Sequence, residues 1–175
     1  NDTSPTIALN YQFDNGTLIY GRYAKAAKAG GFNADFVLRP DLAAFEHDQE
    51  TVDSYEIGLK ATMLENTVRL NLAAFQMDFE DYQVQAFVDN PPYTTSPELL
   101  NAAEVTVKGL EVELTWVPVD NFRVLANVSS LDTEYDEFDL GDFSGQDFTG
   151  NPLPYAPDLK YFIGAQYIVQ VGEGN

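Results

Sequence analysis

Apolar and polar side chains alternate with a period of two along most of this chain, and that pattern limits the possible folds more than any other feature. Ile7, Leu9, Tyr11 and Phe13 line one face of a strand, and Asp14-Asn15-Gly16 supplies a tight turn with a residue suited to positive φ. A second strand runs from Thr17 to about Lys25. Next, Tyr55, Ile57, Leu59 and Ala61 share a face opposite Glu56, Gly58 and Lys60. A turn at Leu64-Glu65-Asn66 opens a long stretch, Thr67 to Val88. There the apolar phase begins on Val68, Leu70, Leu72 and Ala74 and slips to Phe75, Met77 and Phe79. The segment Ala103–Val117 slips too, from Val105 and Val107 to Leu110, Val112, Leu114 and Trp116. One extra residue at Gly109 would be a β-bulge. After a turn at Pro118–Asn121 come Phe122–Thr133 and a last strand carrying Leu159, Tyr161, Ile163, Ala165, Tyr167 and Val169. Seven strands are expected, and no stretch has a helical period.

The connections alternate short and long. The three turns are short, whereas Ala26–Gln49, Asp89–Asn101 and Tyr135–Pro157 are long. Soluble sandwiches place loops at both ends without such alternation. Outer-membrane barrels have short turns at one rim and long loops at the other. Several strands also exceed the ~9–11 residues that a tilted spanning strand needs, so they should project beyond a bilayer. The expected fold is therefore all-β: an antiparallel up-and-down meander of about seven strands, forming a segment of a large transmembrane β-barrel over residues 1–175. Basic residues including Lys60, Arg69, Lys108, Arg123 and Lys160 are expected on polar strand faces that look into a lumen.

Composition removes other classes. Nine Lys and Arg against 28 Asp and Glu give a formal charge of −19, which repels phosphate backbones and speaks against nucleic acid. With 45% hydrophobic and 13% aromatic residues, the chain is too apolar for disorder. The absence of cysteine excludes disulfides, Cys-ligated metals and thiol catalysis. The one histidine, His47, lies among Glu46, Asp48 and Glu50 with no nucleophile signature beside it, and is expected as a surface-loop residue. No catalytic constellation, cofactor motif or metal-ligand spacing is present, so no enzyme is expected. Eight acids and no base lie between Val124 and Leu159. Their spacing does not follow the calcium-loop pattern, which favours a solvated acidic surface.

Four stretches, in order, resemble the TonB-dependent outer-membrane receptors, in particular those with a GGFN-type loop. These are YGRYAKAAKAGGFN (20–33), the Y-E-x-G-x-K hairpin within 50–85, the K-G-x-E-x-E hairpin within 101–138, and GNPLPYAPDLKYFIGAQY (150–167). The resemblance implies an internal barrel segment of a larger receptor, without the plug domain and barrel-closing strands, in the outer membrane of a Gram-negative bacterium. It also implies uptake of a scarce nutrient such as a ferric siderophore. The implied partners are outer-membrane lipid, the nutrient ligand, and the TonB–ExbB–ExbD system acting through the plug. An adhesin-like or structural acidic β protein with cation-binding loops is the alternative.

Ligand contact is expected in the loops, at Phe32 and Asn33 and also at Phe36, Tyr93 and Tyr155, because rigid aromatics and amides are suited to holding a large ligand in a wet vestibule. Gly30 and Gly31 either bring Phe32 and Asn33 to such a ligand or simply turn the chain. The Tyr55–Lys60 signature is expected to be barrel architecture, with aliphatics toward lipid and Glu56 and Lys60 toward the lumen.

Overall fold

A computed structural model describes residues 3–33, 46–88, 96–138, 140 and 147–169. The described strands are β1 (Thr6–Gln12), β2 (Leu18–Lys28), β3 (Gly31–Phe32), β4 (Glu46–His47), β5 (Glu50–Met63), β6 (Val68–Val88), β7 (Ser96–Val119), β8 (Phe122–Phe138) and β9 (Leu159–Tyr167). Seven of them form one antiparallel sheet in the order β1-β2-β5-β6-β7-β8-β9, while β3 and β4 pair separately at the base of the first long loop. The meander puts all three short turns at one end and all three long connections at the other, as the loop lengths predicted. β6 covers the 21 residues Val68–Val88, close to the expected span, whereas β7 and β8 run further than expected, to 24 and 17 residues, so the second connection shrinks to residues 89–95.

Turn chemistry explains the short end. Gly16 sits at φ 83°, and the Asn15 side chain accepts a hydrogen bond from the Thr17 N–H. Leu64, Glu65 and Asn66 are all left-handed, at φ 52°, 56° and 69°. The Thr67 hydroxyl and amide close this turn on the Leu64 carbonyl at 2.7 and 3.1 Å.

The pairing register sorts the sheet into two faces. One carries Ile19, Ile57, Leu59, Leu72, Val112, Leu114, Val128, Tyr161 and Ile163. Most of the large exposed apolar side chains lie on it, including Leu9 at 77% and Tyr161 at 75% exposure. A continuous apolar sheet face without a protein partner is what lipid covers in a transmembrane barrel. Its upper limit, toward the loops, steps down two register rows from Tyr23 on β2 to Val128 on β8. Such a stagger accompanies strands tilted against the membrane plane. The opposite face is polar in its turn-side half. There Tyr20 donates to Glu56 Oε1 at 2.6 Å, Asn71 Nδ2 donates to Glu113 Oε2 at 3.0 Å, and the Lys60 ammonium stands 5.6 Å from the centre of the Tyr20 ring.

No bulge forms at Gly109, which pairs in register with both Phe75 and Leu131. Register shifts occur elsewhere, at Phe79/Tyr82, Tyr82/Gln83, Glu104/Val105 and Trp116/Val119. The slip in apolar phase has a different cause: hydrophobicity changes faces. Below the boundary the outer face is apolar, as a lipid-facing surface must be. Above it the outer face turns polar, with Gln76, Asp78, Thr106, Lys108, Asp132 and Glu134, while Phe75, Met77, Phe79, Val105 and Val107 line the inner face. Lys108 accordingly shares the face of Leu110 and Val112 and not the lumen face expected for it. Gly109 provides room: the Phe75 ring lies over it across the β6–β7 pair, as the Tyr20 ring lies over Gly58, and a Cβ at either glycine would collide with the ring.

The core sits at the loop end, above the spanning part. Val84, Ala86, Leu100, Ala103, Val105, Tyr135, Phe138 and Leu140 form one buried cluster, with Phe79, Tyr82, Phe148 and Leu153 packed against it. Val105 is 1% exposed.

Candidate ligand vestibule

The first long loop is anchored by close approach of its two legs. A Cβ on Gly30 would stand 2.5 Å from the His47 carbonyl oxygen, so only glycine lets β3 and β4 meet this way. His47 is half-buried, with its ring against Gly31 and its Nδ1 shielded without a hydrogen-bond partner, so it is not the open surface residue expected. The Gln83 side chain ties the legs to β6 by donating to the Ala29 and Asp48 carbonyls at 3.1 and 2.9 Å. Asn101 adds bonds to Asp48 from β7. Asn33 Nδ2 donates to the Leu99 carbonyl at 2.8 Å, and Asn33 Oδ1 accepts from the Leu99 N–H at 2.9 Å. The amide thus pairs with the backbone of β7 as a neighbouring strand would, which leaves Phe32 62% exposed beside it.

The described part of the third connection returns along the stretch of β8 that extends beyond its pairing with β9. The Phe148 N–H donates to the Phe138 carbonyl, the Gly150 N–H to the Tyr135 carbonyl, and the Tyr135 N–H to the Asn151 carbonyl, at 2.8, 2.8 and 3.0 Å. Leu153 N–H bonds the Thr133 hydroxyl at 3.1 Å. Asp147 accepts from the Thr149 N–H at 2.9 Å. Its carboxyl is held below its ordinary value by the Thr149 hydroxyl first and the Thr149 backbone second. This path sets the Phe148 ring 5.1 Å from that of Phe138 at a tilt of 40°, and Phe138 stands 4.7 Å from Tyr135. Burial raises the Tyr135 and Tyr82 phenols above their ordinary values, so both stay protonated and neutral at physiological pH.

A recess of about 480 Å³ opens between the end of β6 and this returning segment. Phe87, Tyr135, Phe138, Phe148 and Pro152 supply its apolar wall, and Gln85 and Asn151 add amides. A smaller polar recess of about 190 Å³ lies on the inner face lower down, beside Tyr20, Glu56, Lys60 and Glu111. Tyr155, fully exposed and left-handed at φ 61°, projects from the same returning segment as Phe148. A tyrosine in that backbone region is uncommon and carries a cost of roughly 1 kcal/mol. Phe36 and Tyr93 lie outside the described residues. The structure does not bring Phe32 or Tyr155 into the wall of the recess. Tyr135, Phe138 and Phe148, which do line it, were not singled out from sequence. A signal for the first two existed, since they continue a strand past the length a membrane requires. Among the described residues no three His, Cys, Asp or Glu are grouped so as to hold a metal ion.

An open apolar sheet face, a polar inner face and an aromatic vestibule at the long-loop end define a piece of an outer-membrane barrel wall. The family model described as TonB dependent receptor-like, beta-barrel matches residues 1–174, and the chain belongs to that family, whose members are transporters and receptors of the Gram-negative outer membrane. The probable TonB-dependent siderophore receptor PiuA of Acinetobacter baumannii is 28% identical over 164 residues, covering 89% of this chain and 21% of that protein. The solved ferric yersiniabactin uptake receptor FyuA from Yersinia pestis matches 95% of this chain and 23% of its own at a TM-score of 0.70 and 21% identity. The PiuA crystal structure matches at 0.67 and 23% identity, covering 94% of this chain and 23% of its own. The chain therefore spans about a fifth to a quarter of the receptors it resembles.

Proposed function

We propose that this barrel segment belongs to a receptor that imports a scarce nutrient, a ferric siderophore, with energy delivered by the TonB–ExbB–ExbD system through a plug domain. The observation that carries the proposal is the aromatic recess at the loop end of a family-typical barrel wall. Sequence kinship to a probable siderophore receptor supports the choice of nutrient. Phe32 and Tyr155, both exposed, are proposed ligand contacts, with Phe36 and Tyr93 as further contacts. Asn33 contributes by holding the Phe32 loop against β7. No covalent chemistry is required: the loops bind the ligand, and rearrangement of the plug releases it.

The test is uptake of ⁵⁵Fe-siderophore by cells carrying the complete receptor, with and without a functional TonB. Uptake should vanish without TonB, and Phe32→Ala should weaken ligand binding about tenfold while the amount of folded barrel stays unchanged. TonB-independent uptake would defeat the transport proposal. Unchanged binding together with a fall in barrel yield would make the Gly30–Asn33 motif a structural turn.

A further inference from the structure

Resting on that uptake proposal, we infer that the recess between β6 and the segment returning along β8 selects uncharged or cationic chelates with apolar faces and discriminates against polyanionic ones. The wall is the first reason. Phe87, Tyr135, Phe138, Phe148 and Pro152 offer ring and aliphatic surface, and the polar groups among the lining residues are the neutral amides of Gln85 and Asn151 together with the Tyr135 phenol. None of the lining residues carries a charge. At about 480 Å³ the recess fits within the roughly 300–1,000 Å³ typical of small-molecule sites.

The charge composition of the chain that contributes the lining is the second reason. The recess is built from two stretches of chain. Residues 70–107 contain six acids and no Lys or Arg, and residues 124–159 contain eight acids and no Lys or Arg. No Lys or Arg is among the lining residues. A cleft lined by low-dielectric walls and surrounded by one sign of charge focuses that field and lowers the local concentration of like-charged ligand.

Iron chemistry turns this into a distinction between ligand classes. Three singly charged hydroxamates neutralise a ferric ion, whereas three doubly charged catecholates leave a polyanion. The first suits an apolar, anion-repelling recess. The second would have to give up its hydration to a wall without a cation to replace it.

The experiment is calorimetric titration of the complete purified receptor with the ferric complex of a linear tris-hydroxamate and with that of a tris-catecholate. The tris-hydroxamate is expected to bind at least tenfold more tightly at low salt. The gap should narrow several-fold at high ionic strength, where screening weakens the field. Phe148→Ala should weaken tris-hydroxamate binding about tenfold. Gln85→Lys, at an exposed position that leaves the core intact, should raise tris-catecholate affinity several-fold. Equal or tighter binding of the tris-catecholate by the unaltered receptor overturns the inference and leaves siderophore uptake standing. Failure of both chelates to bind overturns both.

Discussion

The amide of Asn33 stands in for a strand, donating to and accepting from Leu99 across 66 residues of sequence. Each such bond contributes about 1 kcal/mol, so Asn33→Ala should cost on the order of 2 kcal/mol of local stability at the loop base. Hydrogen exchange at the Leu99 amide should accelerate accordingly, with no loss of folded barrel. Exchange that does not change would show that Gln83 and Asn101 hold the loop by themselves. Gly30 is a stricter requirement, because any side chain there meets the backbone of β4. The GGFN run was conspicuous in sequence, yet its two roles could not be separated there. Gly30 and Asn33 satisfy packing and hydrogen bonding, and Phe32 is the residue proposed for ligand contact.

Strands showed their period in the sequence but not the reason for its slips. Alternation follows from local geometry, so β1, β5 and β9 could be read directly. A slip of phase can come from an extra residue or from a change in which face is apolar, and only the pairing partner distinguishes them. At Gly109 the register is intact, and the environment on each face changes instead. The face assignment has a direct test. Val112→Lys places a charge in the middle of the lipid-facing band and should cost roughly 2–4 kcal/mol, whereas Glu111→Lys on the inner face should cost much less. Urea midpoints of the receptor folded into vesicles would show the difference, and equal losses would reverse inside and outside. The returning segment 147–151 should also respond to acid. The folded Asp147 carboxyl titrates below its ordinary value of 3.8, so its contribution is complete above that value. It is lost as the pH falls through the folded value. The Thr149 amide resonance should therefore hold steady from neutrality to about pH 5 and move only in strong acid, and Asp147→Asn should abolish the movement.

Taken as one body, the described sheet has β1 and β9 at its edges, and its spanning half has no protein core. Unpaired backbone groups inside a bilayer cost several kcal/mol each, so residues 1–175 expressed alone should fail to insert as a pore-forming barrel. Electrophoretic heat-modifiability and liposome swelling should both be absent, and either one in a monomeric fragment would mean that the edges close on each other. The order of amino acids determined the class of fold and the orientation of its rims, because alternation, turn residues and loop length are local properties. Tertiary structure alone decided which aromatics meet. Phe148 reaches Phe138 only because its segment runs back along β8, and Asn33 reaches Leu99 only because the base of the first loop lies against β7. Contacts of that kind depend on the path of a connection through space, which no local periodicity records.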